Sequence, residues 1–191
     1  MVIYMKVKVG ISMRHVHLTD EDCQVLFGTD LTEYKALNQP GQFAANQTVT
    51  LKSNDREIKN VRVIGPNRGY TQVELSRTDA YYLKLNPPVR SSGNLSGAEE
   101  ITIIGSQGRI IRKAAIIVDR HIHITKEDRE KYNLLNDEYC GLVNTEKGGI
   151  LYNIKIKEAP NSYFELHLDS DDGNAFDIKQ DDEIEIIEAK I

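Results

Sequence analysis

Apolar and polar residues alternate in many short runs along this chain. Gln47-Thr48-Val49-Thr50-Leu51, Lys59 to Ile64 and Thr71 to Leu75 read as strands, separated by turn residues at Asn54-Asp55 and Gly65-Pro66-Asn67-Arg68-Gly69. The plan recurs later, with strands over 139–143, 149–157, 163–168 and 183–188 and turns at Lys147-Gly148-Gly149 and Ala159-Pro160-Asn161. Two hydroxyl N-caps mark short helices: Thr19 precedes Asp20-Glu21-Asp22 and Thr125 precedes Lys126-Glu127-Asp128, which places acids near the positive end of each helix. Short strands at close spacing favour small barrels over a βαβ sheet, so the expected class is mainly β with short helices (α+β).

Residues 9–20 (VGISMRHVHLTD) resemble residues 115–126 (AIIVDRHIHITK), sharing Arg-His-x-His-x-Thr, and this internal duplication organises the rest. It predicts two duplicated small β-barrel domains with helical caps: a first repeat over 1–88, a Ser/Gly loop and linking strand over 89–114, and a second repeat over 115–191. The Pro-, Ser- and Gly-rich stretch Asn86 to Gly97 could tether the repeats, or its amides and hydroxyls could wrap an anion.

All five histidines fall in three strings: Arg14-His15-Val16-His17-Leu18, Arg120-His121-Ile122-His123-Ile124 and Glu165-Leu166-His167-Leu168-Asp169. In a strand alternate side chains share a face, so each His-x-His pair aims two imidazoles at one point while Val16 or Ile122 faces the core. Overlaying the repeats sets Val73-Glu74-Leu75 against Leu166-His167-Leu168. If His167 completes the second triad, Glu74 is its counterpart in the first. Glu74 follows His15 at a wider spacing than His167 follows His121, so the first repeat carries an insertion of 13, for which Asn38 to Asn60 has room.

Imidazole and carboxylate donors without thiolates suit Zn²⁺ first, with Mn²⁺, Fe²⁺ or Co²⁺ as alternatives. Three protein ligands per ion leave open positions, as in catalytic zinc sites. Arg68 carries a planar fork that matches phosphate oxygens, and Arg90, with Ser91 and Ser92, is a second candidate anion contact. Asp171 and Asp172 read as a solvated or capping pair.

Composition narrows the function classes. With 40% hydrophobic and 28% charged residues the chain reads as a globular protein, and its net charge of -5, with no basic stripe, argues against nucleic-acid binding. Cys23 and Cys140 lie far apart, which indicates neither a disulfide framework nor a thiolate zinc cage; both are expected to be structural. No apolar run reaches the roughly 18 residues of a membrane span and no signal-peptide pattern opens the chain, so a cytoplasmic protein is expected.

The strings Val9 to Leu18, Thr71-Gln72-Val73-Glu74, Val89-Arg90-Ser91-Ser92-Gly93, Arg120-His121-Ile122-His123 and His167-Leu168-Asp169 resemble, in order, the successive motifs of the PduL-type phosphate propanoyltransferases, a phosphotransacylase family. The resemblance implies two β-barrel domains with capping helices and a dinuclear zinc site between them. It also implies reversible transfer of a short acyl group, propanoyl or acetyl, between coenzyme A and inorganic phosphate. His15, His17 and Glu74 are similar to the ligands of one zinc, and His121, His123 and His167 to those of the other. Arg68 matches the family's phosphate-contacting arginine and Ser92 a serine of the same pocket.

Met13 departs from the family's usual small polar residue, and Asp172-Gly173-Asn174-Ala175 from its usual Asp-Glu-Ala-Asn-Ala. The first motif begins by Val9, so no microcompartment-targeting extension is expected. Acyl-CoA, CoA and phosphate are the expected partners, and self-association into a homo-oligomer is left open. A dinuclear metallohydrolase and a non-catalytic metal-binding module remain the alternatives at this point.

Overall fold

The computed structural model describes residues 3–188. In chain order its elements are β1 (Ile3–Ser12), β2 (His15–His17), α1 (Asp20–Phe27), β3 (Glu33–Ala36), β4 (Phe43–Ser53), β5 (Arg56–Gly65), β6 (Gln72–Glu74), α2 (Arg77–Tyr82), β7 (Val89–Arg90), β8 (Glu99–Ile104) and β9 (Arg109–Val118). There follow β10 (His121–Ile124), α3 (Lys126–Lys131), β11 (Glu138–Val143), β12 (Gly149–Glu158), β13 (Glu165–Asp169), α4 (Ser170–Phe176) and β14 (Glu183–Glu188). The protein is thus mainly β, as its alternating pattern predicts. No helix among the described residues is long and apolar enough to cross a membrane.

Residues 13–118 form one compact unit. Its strands close into a six-membered ring, β4-β5-β2-β6-β9-β8 and back to β4, with β3 appended to β4 and β7 to β9. Closure leaves the ring itself without an unpaired edge. Its interior is a single apolar cluster that includes Val16, Leu18, Val49, Leu51, Val63, Val73 and Ile103, each almost wholly buried. Helix α1 is anchored by Asp22, which accepts two hydrogen bonds from Arg112 (2.6 and 3.2 Å) and one from Thr71.

The second unit joins residues 3–12 to 119–188. Its described strands close as β1-β13-β10-β12-β11-β14 around a core that includes Val7, Val9, Ile122, Ile124, Tyr139, Leu151 and Leu166. Helix caps repeat between the units: Thr19 accepts from the Asp22 amide and Thr125 from the Asp128 amide, as the sequence predicts.

The two rings have the same pairing scheme. β2 runs parallel to β5 and antiparallel to β6, as β10 does to β12 and β13. β6 in turn pairs in parallel with β9, and β13 in parallel with β1. Glu74 lies beside Ile116 and His167 beside Gly10, so the offset of 106 that carries His15 onto His121 also carries Gly10 onto Ile116.

This scheme corrects the linear partition at 1–88, 89–114 and 115–191. β1 precedes β2 in the chain but completes the ring of β10, and β9 precedes β10 but completes the ring of β2. The repeats have exchanged their first strands, and stretch 89–118 is built into the first ring instead of linking two. Local pattern establishes that β1 and β9 are strands. It says nothing about which ring edge each one fills.

The insertion of 13 lies between α1 and β5, because His15 aligns with Arg62 and His121 with Lys155, after which the two repeats keep equal spacing to Glu74 and His167. Part of it forms the β3 hairpin, which starts at Glu33, ahead of the Asn38–Asn60 stretch expected to hold it.

A paired strut ties each His-x-His strand to the helix after its partner strand. Arg120 grips Asp172 with Nε and Nη2 at 2.7 and 2.6 Å, and Arg14 Nη1 meets Asp79 at 2.9 Å. Asp172 is therefore not merely a solvated or capping acid: its carboxylate holds Arg120, while its backbone amide is the group capped by Asp169. The Asp172 hydrogen bonds hold the Arg120 pKa above its ordinary value, despite partial burial. Inward-facing Ile122, fully buried between two imidazole-bearing positions, should cost about 2–5 kcal/mol when cut to Ala, read as a lowered denaturant midpoint.

Candidate metal centres

Strand register assembles the first cluster. His15 stands opposite Glu74 and His17 opposite Gln72, so these four side chains project from one face while Val16 and Val73 fill the core behind them. The Nε2 atoms of His15 and His17 lie 3.2 Å apart. Glu74 Oε2 is 3.3 Å from His15 Nε2, and its Oε1 is 3.7 Å from His17 Nε2.

The other nitrogen of each ring is already committed. His15 Nδ1–H donates to the Met13 carbonyl (2.8 Å) and His17 Nδ1–H to the Ile64 carbonyl (3.1 Å). Carbonyls only accept, so both neutral rings carry the proton on Nδ1 and turn the Nε2 lone pair toward the cluster. Met13 contributes through its backbone, and its side chain is exposed.

Burial, together with charge on neighbouring His15, drives the His17 pKa well below its ordinary value, favouring the neutral ligand form. Burial also works against the charged form of His15, yet attraction and hydrogen bonding from Glu74 outweigh it and raise that pKa. The positive charge of Arg68 disfavours protonation of both rings.

The second cluster repeats this construction. His121 stands opposite His167 and His123 opposite Glu165, with Ile122 and Leu166 in the core. His121 and His123 bring their Nε2 atoms to 3.1 Å, and the His167 ring centroid lies 5.3 and 4.5 Å from theirs. His121 Nδ1–H donates to the Asp119 carbonyl at 2.8 Å, the counterpart of the His15–Met13 bond. In each triad the ligand atoms fall within 4.8 Å of one another.

Three convergent imidazole or carboxylate donors, buried or half-buried and with no thiolate among them, fit a borderline cation such as zinc. All six residues that the sequence reading assigns to metal are brought together as two triads of the expected membership.

Beside the first triad lies a cluster of polar side chains. Arg68 Nη1 is 3.4 Å from the Tyr70 hydroxyl and 3.5 Å from Ser92 Oγ. Gln72 donates to Ser92 Oγ (2.9 Å) and Glu74 Oε1 (2.7 Å), and its own carbonyl oxygen accepts from the Gly93 amide (2.7 Å). Stretch 91–93 is thereby pinned to β6 instead of serving as a tether. Arg90 turns elsewhere: its guanidinium donates to the Ser96 and Val89 carbonyls, bracing the loop, and Ser91 is exposed at the loop's edge with its carbonyl accepting from Asn94.

Gln72 and Glu165 are the residues that sequence reasoning passed over. Each lies two positions before the third member of its triad, and sliding the second repeat over the first at Glu74 and His167 superposes them. Cys23 and Cys140 are both buried free thiols whose pKa values burial pushes up, which suits a structural role and not a thiolate nucleophile.

A family model described as phosphate propanoyltransferase matches residues 8–179. The chain is 43% identical over 186 residues to a phosphate propanoyltransferase of Thermotoga maritima, covering 94% of this chain and 88% of that one. It is 41% identical over 179 residues to the Rhodobacter capsulatus protein of that name, covering 92% and 83%. With the Salmonella typhimurium phosphate propanoyltransferase the identity is 38% over 173 residues, covering 88% and 82%. Since the match covers most of the chain and every residue of both triads, this chain belongs to the phosphate propanoyltransferase family.

Proposed function

We propose that this chain is a phosphate acyltransferase that exchanges coenzyme A for inorganic phosphate on a short acyl group, propanoyl or acetyl, with one zinc ion held by each triad. The observation that supports this reading best is the adjacency of Arg68 and Ser92 to the His15–His17–Glu74 triad, a guanidinium and a hydroxyl beside three candidate metal donors. Family membership supplies the reaction class.

Arg68 would grip phosphate with its planar fork, and the Ser91-Ser92 edge would fix its orientation, so that an oxygen meets the thioester carbon as a positioned nucleophile. The new bond joins phosphate oxygen to acyl carbon and the bond lost is carbon to sulfur. The proton of hydrogen phosphate ends on the CoA sulfur, so no residue of the chain need gain or lose one overall. Gln72, bonded to Ser92, Gly93 and Glu74 together, keeps this polar cluster and the triad in register. Bound zinc would supply Lewis-acid polarisation of an oxygen and stabilisation of the soft leaving thiolate, which a harder cation does poorly.

The test is CoA release from acetyl-CoA and propanoyl-CoA with and without phosphate, before and after chelation and zinc restoration. Strictly phosphate-dependent release, lost on chelation and regained with about two zinc ions per chain, is the expected result. Release that ignores phosphate would identify a hydrolase instead.

A further inference from the structure

Each His-x-His strand is short, three residues in β2 and four in β10, so few ladder bonds fix its register against its neighbours. A slip of one residue would turn both imidazoles into the core and bring Val16 or Ile122 out of it. An arginine stands immediately before the first histidine in both repeats, Arg14 and Arg120. Each reaches an aspartate five residues beyond the third triad member, Asp79 after Glu74 and Asp172 after His167. The duplication thus presents the same brace twice, at the same place relative to the triad.

The two braces differ in build. Arg120 presents its fork to Asp172 through Nε and Nη2, at 2.7 and 2.6 Å, and its Nη1 donates to the Tyr152 carbonyl on β12 at 2.8 Å. Since β10 lies between β12 and β13, and α4 follows β13 directly, this one side chain spans from one flanking strand to the helix that ends the other. The Arg120 carbonyl also accepts from the Lys155 amide at 2.9 Å, which fastens the backbone at the same point.

Arg14 meets Asp79 through Nη1 alone, and the second oxygen of Asp79 serves the α2 capping box by accepting from the Ser76 amide. Asp172 differs, because its amide is the capped group and both carboxylate oxygens are spent on Arg120. A change to the Asp172 side chain therefore removes the brace and leaves the helix cap in place.

We infer that Arg120 and Asp172 are positioning residues for the second triad: together they lock β10 against β13 before metal arrives, so that His121, His123 and His167 already converge. Bidentate pairing of guanidinium with carboxylate fixes direction as well as distance, and supporting shells of this kind set how tightly a site holds its ion. Neither residue hydrogen-bonds a triad side chain, so the effect travels through the backbone of β10 and β13. In the first ring the single Arg14–Asp79 bond is supplemented by Gln72, which holds Glu74 itself. The inference rests on the proposed function only in that the second triad binds zinc.

The test uses the full chain and zinc. Asp172→Asn, which keeps the shape but forfeits the charge and one acceptor, should weaken one of the two zinc ions about tenfold in chelator competition and leave the other unchanged. Arg120→Lys, which lacks the fork, should produce the same selective loss. In a His123→Ala chain, left with the first triad's ion, adding Asp172→Asn should lower zinc affinity no further. A pair that serves stability alone would lower the unfolding temperature of the zinc-free chain and leave both affinities as they were. That result, or equal weakening of both ions, would overturn the inference.

The wild-type chain decides even if a variant fails to fold. With metal removed, the Arg120 Nε–H should exchange slowly with water, as a group already locked to Asp172 would; rapid exchange would mean that the pair forms only after the metal, and would overturn the inference. A wild-type chain that holds no zinc at His121, His123 and His167 would instead sink the proposed function, and with it this role for the pair.

Discussion

Replacing His123 by alanine should drive phosphate-dependent CoA release to background, a loss of at least about a hundredfold, and lower bound zinc from two ions per chain to one. His123 is buried and its Nε2 sits 3.1 Å from that of His121, so its removal takes one of three convergent donors out of the cluster. The first triad, built on different strands, should keep its ion, and elemental analysis beside the activity assay would show this. A His123→Ala protein with normal turnover and full metal would exclude the second triad from the reaction. Comparing unfolding of the metal-free proteins separates ligand loss from lost packing.

The second large effect concerns Arg68. Changing it to lysine keeps the charge near His15 and His17 but removes the planar fork, so the phosphate KM should rise about ten- to a hundredfold while zinc content stays at the wild-type value. Steady-state kinetics in phosphate, with metal analysis of the same samples, gives both numbers. An unchanged phosphate KM would move the anion site away from the Arg68–Ser92 cluster. Arg90, whose guanidinium is engaged by the Ser96 and Val89 carbonyls, should show a far smaller kinetic effect when substituted.

The contrast between these arginines shows what a one-dimensional reading can reach. Both triads were legible because strand alternation is a local rule: once His15-Val16-His17 is a strand, two imidazoles must share a face. The pairing of Glu74 with the first two histidines followed from the duplication, and the structure explains why, since the strand beside the His-x-His pair leads to the third triad member at the same spacing in both repeats.

Arg90 and Arg68 both sit in polar, turn-rich sequence, and nothing local tells a guanidinium aimed at a site from one aimed at its own loop. Glu165 escaped notice because a glutamate at a strand's start ordinarily faces water, whereas this one is buried beside Gly10 of β1, remote in sequence. Asp172 was hidden likewise, because its partner Arg120 comes from the distant connection between β9 and β10. In each case the missing information is a contact between segments remote in sequence.

The exchange of first strands carries a consequence for biosynthesis. The ribosome delivers β1 before the other described elements, yet Val9 must wait for Leu166 and Lys6 for Glu185, both far downstream. Residues 13–118 hold every strand of their own ring and can close it co-translationally. Until that happens, and for some time after, the leading segment travels as an orphaned edge with Val7 and Val9 uncovered, exposed to capture by chaperones or by a neighbouring nascent chain.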